Sequence, residues 1–241
     1  GGVWQEDVYE YWMGVNIGKS NETTFQEQAY NEALSMWNKL KDKGFTTTRP
    51  QKGARFNTDA NGSMKPMLAS GFRADRIQYP CIVQPKYDGV RCLMFLKDGE
   101  VQIVSRKGKF YNIPHLEEWA LKHKHMLPLD GELYNHKELT FQEIVSAVKR
   151  ESEITPLIRY VVYDKPIVTL DNNKRLAMLE NDFAKISKGP VYLSESELCF
   201  SFDQIKACHD KYVKEGYEGV IIRNMGGMYE FGFRSNDLIK Y

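Results

Sequence analysis

Short apolar runs punctuated by glycine beside a carboxylate recur through the C-terminal three quarters of the chain. They restrict what it can fold into. "GVRCLMFL", "EVQIVS", "RYVVYD" and "EGVIIRN" are too short for buried helices and carry β-branched or aromatic residues, so each is expected as a strand. Strands of this kind, interspersed with a few helices, predict an α+β class in which antiparallel sheets dominate and helices pack outside. The sharpest interruption is "VQPKYDGVRCLMF", residues 83–95. Cys81, Ile82 and Val83 precede it and Cys92 to Phe95 close it, both with the look of buried strands. Between them stand Lys86, Tyr87, Asp88, Gly89, Val90 and Arg91, with Asp-Gly as a tight-turn signal. The plainest reading is a hairpin with a decorated tip.

The residue types at that junction suggest more. A lysine beside core strands loses hydration, which lowers its pKa from ~10.4 by up to ~3–5 units when burial is complete. That is one way an amine becomes nucleophilic near neutrality. Gly89 permits close backbone approach, and Arg91 offers a planar cationic fork for phosphate. The set suits attack on phosphorus. Elsewhere, "LDGELY" brings Asp130 and Glu132 to a strand, "YEGVIIRN" sets Glu218 before one, "RYVVYD" ends on Tyr163 and Asp164, and "GFRSNDLIKY" supplies Arg234 and Lys240. Singly, each has a plainer explanation: turn carboxylates for Glu132 and Glu218, a core aromatic for Tyr163, a solvated loop for Arg106 and Lys107. Jointly they fit one cleft.

In this order the segments resemble the nucleotidyltransferase domain of ATP-dependent DNA ligases, a family related to RNA ligases and mRNA capping enzymes. The resemblance covers roughly residues 64–241 and implies an antiparallel-sheet, ATP-grasp-like α+β fold. "KYDGVR" is similar to the adenylation motif, implying that Lys86 becomes covalently linked to AMP. "SRKG" resembles the next motif, whose arginine, here Arg106, contacts nucleotide or the DNA end. "LDGEL" implies that Glu132 binds the ribose hydroxyls, and "VVYD" that Tyr163 stacks on adenine. "EGVIIR" implies that Glu218 lies near metal and phosphates, with Ile221 against the base. Gln84, Arg91, Arg234 and Lys240 complete the implied nucleotide contacts. "FQEIVSAVKR" and "KPMLA" also resemble ligase segments. The implied cofactors are ATP and Mg²⁺, with Glu218 as the metal residue, and the implied partner is nicked duplex DNA. The family's last motif is K-x-K, whereas here Lys240 is followed by Tyr241. The second lysine and an oligonucleotide-binding domain are therefore expected beyond this chain. An RNA ligase or capping-type enzyme, and a non-catalytic DNA-end-binding module with a degenerate pocket, remain the alternatives.

A chain of 241 residues suits one main domain plus a small appendage. The division expected is a small α/β accessory unit with its linker over residues 1–62 and the nucleotidyltransferase domain over 63–241. The first unit is expected to hold an aromatic strand, "VYEYWMGVNIG", then a helix opened by the capping box Thr24-Phe25-Gln26-Glu27 and stopped at Gly44. Phe25, Ala29, Ala33, Trp37 and Leu40 would face the strand. This unit is loosely similar to the WGR modules of some DNA-repair proteins, with "WMG" in place of Trp-Gly-Arg. Trp4, Trp12 and Trp37 read as a small core, and Lys19, Lys39, Lys41 and Lys43 as a solvated face or phosphate contacts. A polar linker is expected over residues 46–63. A second "TFQE", Thr140 to Glu143, predicts an independent helix.

Composition excludes little. The charged fraction of 27% and net charge of +1 are ordinary for a soluble globular protein and leave room for a local basic face. The four cysteines lack C-x-x-C or metal-ligand spacing and read as reduced core residues, which points to an intracellular protein. No run approaches the ~18 apolar residues of a membrane span, and no signal peptide is visible. A monomer is expected. The chain opens Gly1-Gly2 rather than with Met, as a processed or truncated chain would.

Overall fold

Both Thr-Phe-Gln-Glu segments start helices, for the reason their spacing suggests. The Thr24 amide donates to the Glu27 carboxylate at 2.8 Å and the Glu27 amide to Thr24 Oγ1 at 3.2 Å. Two N-terminal donors that helix geometry leaves orphaned are thereby satisfied, and α1 (Phe25–Asp42) follows. Thr140 and Glu143 repeat the exchange at the second site. The computed structural model describes residue 6 and residues 8–42 and 64–241. The chain separates into two units, Gly1–Arg55 and Phe56–Tyr241.

In the first unit the expected strand over residues 8–18 does not form. The chain turns instead: Asn16 and Gly18 take positive φ, and the Lys19 amide donates to the Asn16 carbonyl at 2.9 Å. The Val15 and Thr23 backbones close the loop on themselves, with Thr23 Oγ1 accepting from the Val15 amide. Local side chain and turn bonds satisfied these backbone groups before any ladder did. The helical stripe is also less covered than expected, since Phe25 is 49% and Trp37 and Leu40 are 39% exposed. Trp4, Lys43, the Gly44 stop and the linker over residues 46–63 lie outside the described residues, as does the side chain of Lys41.

The second unit runs β1 (Leu68–Ser70), β2 (Cys81–Pro85), β3 (Val90–Lys97), β4 (Glu100–Ser105), α2 (Pro114–Lys122), β5 (Leu129–Tyr134) and α3 (Phe141–Lys149). It continues with β6 (Arg159–Asp164), α4 (Asn172–Phe183), β7 (Val191–Leu193), β8 (Glu197–Cys199), α5 (Phe202–Lys214), β9 (Val220–Asn224) and β10 (Arg234–Lys240). Two five-stranded sheets result, ordered β1-β10-β9-β2-β8 and β4-β3-β5-β6-β7. All pairings are antiparallel except β1 with β10 and β6 with β7. The class is the expected α+β. Among the described residues no helix is long and apolar enough to cross a membrane.

Each sheet has its own core. Cys92, Met94, Leu129, Leu133, Tyr160 and Val162 pack with Leu116 of α2, Ile144 of α3 and Leu179 of α4. Cys81, Val83, Val220, Ile222 and Ile239 pack with Ile205, Cys208 and Tyr212 of α5. The four cysteines are free and buried, as the sequence implied.

The hairpin reading of residues 83–95 fails, because β2 and β3 belong to different sheets. The Lys86–Gly89 segment carries the chain from one to the other. A Cβ at Gly89 would lie 2.4 Å from the Leu133 carbonyl of β5, so the crossing is possible only for glycine. Within β5, a Cβ at Gly131 would lie 2.2 Å from the Val161 carbonyl and 2.8 Å from the Tyr160 ring. That backbone oxygen is fixed by sheet pairing, and overpacking it costs about 1–3 kcal/mol. Gly131→Ala is expected to lower the urea unfolding midpoint accordingly, as followed by circular dichroism, and an unchanged midpoint would show that β6 gives way freely.

Candidate active site

The two sheets face each other across an open pocket of about 400 Å³. Lys86 comes to it directly from β2. Its amide donates to the Gly219 carbonyl at 2.9 Å, and the Glu218 amide donates to the Lys86 carbonyl at 3.1 Å. The β2–β9 pairing therefore continues past both strand ends and sets these two side chains together. Lys86 Nζ and the Glu218 carboxylate form an ion pair, both partly exposed. Burial lowers the Lys86 pKa and the nearby Lys240 adds to this, while Asp88 and Glu132 oppose it. The contact with Glu218 also favours the ammonium form.

The other sheet supplies the opposite wall. Glu132 and Arg91 are cross-strand partners on β5 and β3. The Tyr163 hydroxyl, on β6, donates to Glu132 Oε2 at 3.1 Å and approaches the Gly131 carbonyl at 3.2 Å. Burial pushes the Glu132 carboxyl up to about 7, with Asp130 adding to the shift and Arg91, the Tyr163 hydroxyl and Lys86 opposing it. Tyr163 is raised well above its ordinary range, chiefly by burial.

Arg91 differs from its expected state. Rather than standing free for phosphate, its fork grips Asp130, with Nε to Oδ1 at 2.7 Å and Nη2 to Oδ2 at 2.6 Å. Nη2 also donates to the Met67 carbonyl at 3.0 Å. Its guanidinium lies 5.0 Å from the centre of the Tyr163 ring, within cation–π range. At the rim, Arg234 Nη1 donates to the Ala69 carbonyl at 2.6 Å. Arg106 is lowered in pKa by burial first and by Arg234 and Arg91 next. Gln84, Ile221 and Lys240 also line the pocket, so the ten residues that the resemblance implied as nucleotide contacts all border it, while Asp130 and Asp164 do not.

Three functional-looking features escaped the sequence reading. Arg223, also on the pocket wall, is buried and bridges Gln84 to Asp164. Arg175 of α4 grips the other side of Asp164. Phe141, the first residue of α3, also borders the pocket. Only Arg223 left a trace in the sequence, as a cation ending the apolar run "GVIIRN".

A family model described as the ATP dependent DNA ligase domain matches residues 66–241. The chain belongs to the ATP-dependent DNA ligase family. The DNA ligase of African swine fever virus (isolate Warthog/Namibia/Wart80/1980) is 30% identical over 237 residues, covering 92% of this chain and 54% of the viral protein. That match reaches well before Met64, since residues 64–241 are under three quarters of the chain. The DNA ligase of Enterobacteria phage T4 is 24% identical over 236 residues, covering 73% of this chain and 47% of the phage protein. The chain thus spans about half the length of the curated relatives it matches. The Chlorella virus DNA ligase-adenylate shares the fold at a TM-score of 0.60 and 22% identity, over 73% of this chain and 66% of the other. The bacteriophage T7 ATP-dependent DNA ligase, solved with ATP, does so at 0.55 and 20%, over 73% and 68%.

In this ligase domain the elevated Glu132 has a consequence for stability. Unfolding returns its pKa from about 7 to the ordinary 4.5, so between those values the folded state binds the proton more tightly. Its contribution is fully present below pH 4.5 and is lost as pH rises through 7. Glu132→Gln should flatten this fall in melting temperature between pH 4.5 and 7, and a variant whose profile still tracks the parent would refute the assignment.

Proposed function

We propose that the pocket binds ATP and that Lys86 takes its AMP, as the first step of sealing nicked duplex DNA. The observation that carries this reading is the meeting of Lys86, Glu132, Tyr163, Glu218 and Lys240, drawn from two sheets, around one pocket. The relatives solved as a ligase-adenylate and with ATP support a nucleotide there.

The residues divide the work by chemistry. Tyr163 offers a ring face to adenine opposite Ile221, and Glu132 accepts from the ribose hydroxyls while Tyr163 holds its carboxylate. Lys86 in its neutral form attacks the α-phosphorus; the Nζ–P bond forms, the bond to pyrophosphate breaks, and the amine loses its proton. Lys240 stabilises charge on the phosphoryl oxygens, and Arg106 and Arg234 serve phosphates at the rim. AMP then passes from Lys86 to the 5′-phosphate of the nick, and the 3′-hydroxyl displaces it.

Magnesium fits the donor set. Among the described residues no cluster of three or more acidic, histidine or cysteine side chains can cage a metal. Glu218 offers one carboxylate, which is what a magnesium ion needs when phosphates and water fill its remaining positions. When bound, such an ion offsets charge on the phosphates and the leaving group. Burial and Lys240 already lower the Lys86 pKa, and turning the Glu218 carboxylate away from the amine removes a contact that favours the ammonium.

Intact-mass measurement after incubation with ATP and magnesium tests the reading. Added AMP, absent in Lys86→Ala, is the expected result; added GMP from GTP would instead favour a capping-type enzyme, and no adduct at all would sink the proposal. The adenylation rate should rise about tenfold per pH unit below the lysine pKa and level off below the ordinary lysine value of 10.5. A rate independent of pH from 6 to 10 would contradict a rate set by amine deprotonation.

A further inference from the structure

Gln84 is almost fully buried, yet it borders the nucleotide pocket. Its hydrogen bonds are nearly used up. Nε2 donates to Ser196 Oγ at 3.0 Å and reaches the Tyr163 carbonyl at 3.4 Å. Oε1 accepts from Arg223 Nε at 2.6 Å. An amide oxygen has two lone pairs, and an amide nitrogen only two hydrogens. What this side chain has left to offer is one acceptor position.

We propose that Arg223 is a positioning residue for base selection: it fixes the Gln84 amide so that only an acceptor is open to the pocket. An acceptor suits the exocyclic amine of adenine and opposes the O6 oxygen of guanine. The proposal rests on the pocket being a nucleotide site, and deepens that reading.

The orientation is enforced. Arginine has five donors and no acceptor, so a flipped amide would set an N–H against the Arg223 N–H. Arg223 cannot swing aside, because its Nη1 donates to Asp164 Oδ2 at 2.6 Å. Asp164 is held in turn by Arg175, with Nε to Oδ1 at 2.7 Å, and by the Lys165 amide at 2.8 Å. Gln84, Asp164, Arg175 and Arg223 are each at most 4% exposed, so water does not compete for these bonds. Strand pairing fixes the rest: Gln84 faces Ile221 and Ile82 faces Arg223 across β2 and β9, which puts Gln84 and Arg223 on the same sheet face. Lysine at position 223 would keep a cation for Asp164 but lose the planar fork that bonds both acceptors at once.

Two arms test the proposal by lysyl-nucleotide formation, read by intact mass and initial rate. In the unmodified protein, the triphosphate of purine riboside, which lacks the exocyclic amine, should lose at least about tenfold in rate over KM relative to ATP. Inosine triphosphate, with O6 in that place, should lose more. In Arg223→Lys, the preference for ATP over GTP should fall at least about tenfold, chiefly through a raised KM for ATP with kcat little changed. Gln84→Leu should lose the same preference. Equal use of ATP, purine riboside and inosine triphosphates by the unmodified protein would overturn the proposal without recourse to any variant. So would an Arg223→Lys protein that folds and keeps the parental ATP preference. If the unmodified protein forms no adduct with any nucleotide, it is the nucleotide-site reading itself that fails.

Discussion

Two buried carboxylates hold the two sheets in place around the pocket. Asp130 and Asp164 are register partners on β5 and β6, and neither has meaningful exposure. Asp130 takes both arms of Arg91 and the Tyr229 hydroxyl at 2.6 Å. Asp164 takes Arg175 and Arg223. Burial alone would raise the Asp164 pKa, but the two arginines outweigh it and keep the carboxyl below its usual range. Removing one partner from such a buried pair commonly costs about 3–5 kcal/mol, because an uncompensated charge remains. Arg223 stands on β9 in one sheet and Asp164 on β6 in the other. That pair spans the two sheets.

The geometry of the pocket follows from this arrangement. Tyr163 precedes Asp164 on β6, and its ring has the Arg91 and Arg223 guanidiniums 5.0 and 5.5 Å from its centre. Both cations are themselves pinned by aspartates, so the ring is held by groups that have no freedom of their own. Lys86, the proposed nucleophile, is placed differently. Lys86 and Glu218 are set by backbone hydrogen bonds at the ends of paired strands, which leaves their side chains the freedom a covalent step needs. On the proposed function, Tyr163 is a rigid seat for the base and Lys86 a looser amine beside it, which suits transfer to lysine.

Much of this was legible in the chain. The strands could be read from apolar runs, both helix starts from Thr and Glu three residues apart, and the ten pocket residues from motifs in a fixed order. The N-terminal aromatic strand could not, because Asn16 and Gly18 turned the chain before a ladder formed. The free phosphate fork expected of Arg91 could not either, since a cation and its buried partner 39 residues away carry no shared local pattern. The roles of Arg223 and Arg175 were hidden for the same reason, because they depend on which carboxylate each meets.

Three Asp-Gly pairs mark the boundary between the two kinds of information. Asp98-Gly99 takes positive φ at both residues, 52° and 86°, and closes the β3–β4 hairpin, the conformation that hairpin twist selects. Asp88-Gly89 instead carries the chain between sheets, and Asp130-Gly131 lies inside a strand, where its register shifts. By itself the sequence determined where strands and helices begin and which side chains were chemically suited to phosphorus, because those depend on neighbours a few residues away. Only the tertiary structure decided which strands shared a sheet and which cations were spent on buried aspartates. Those choices depend on long-range pairing and desolvation, which act between residues far apart in the chain.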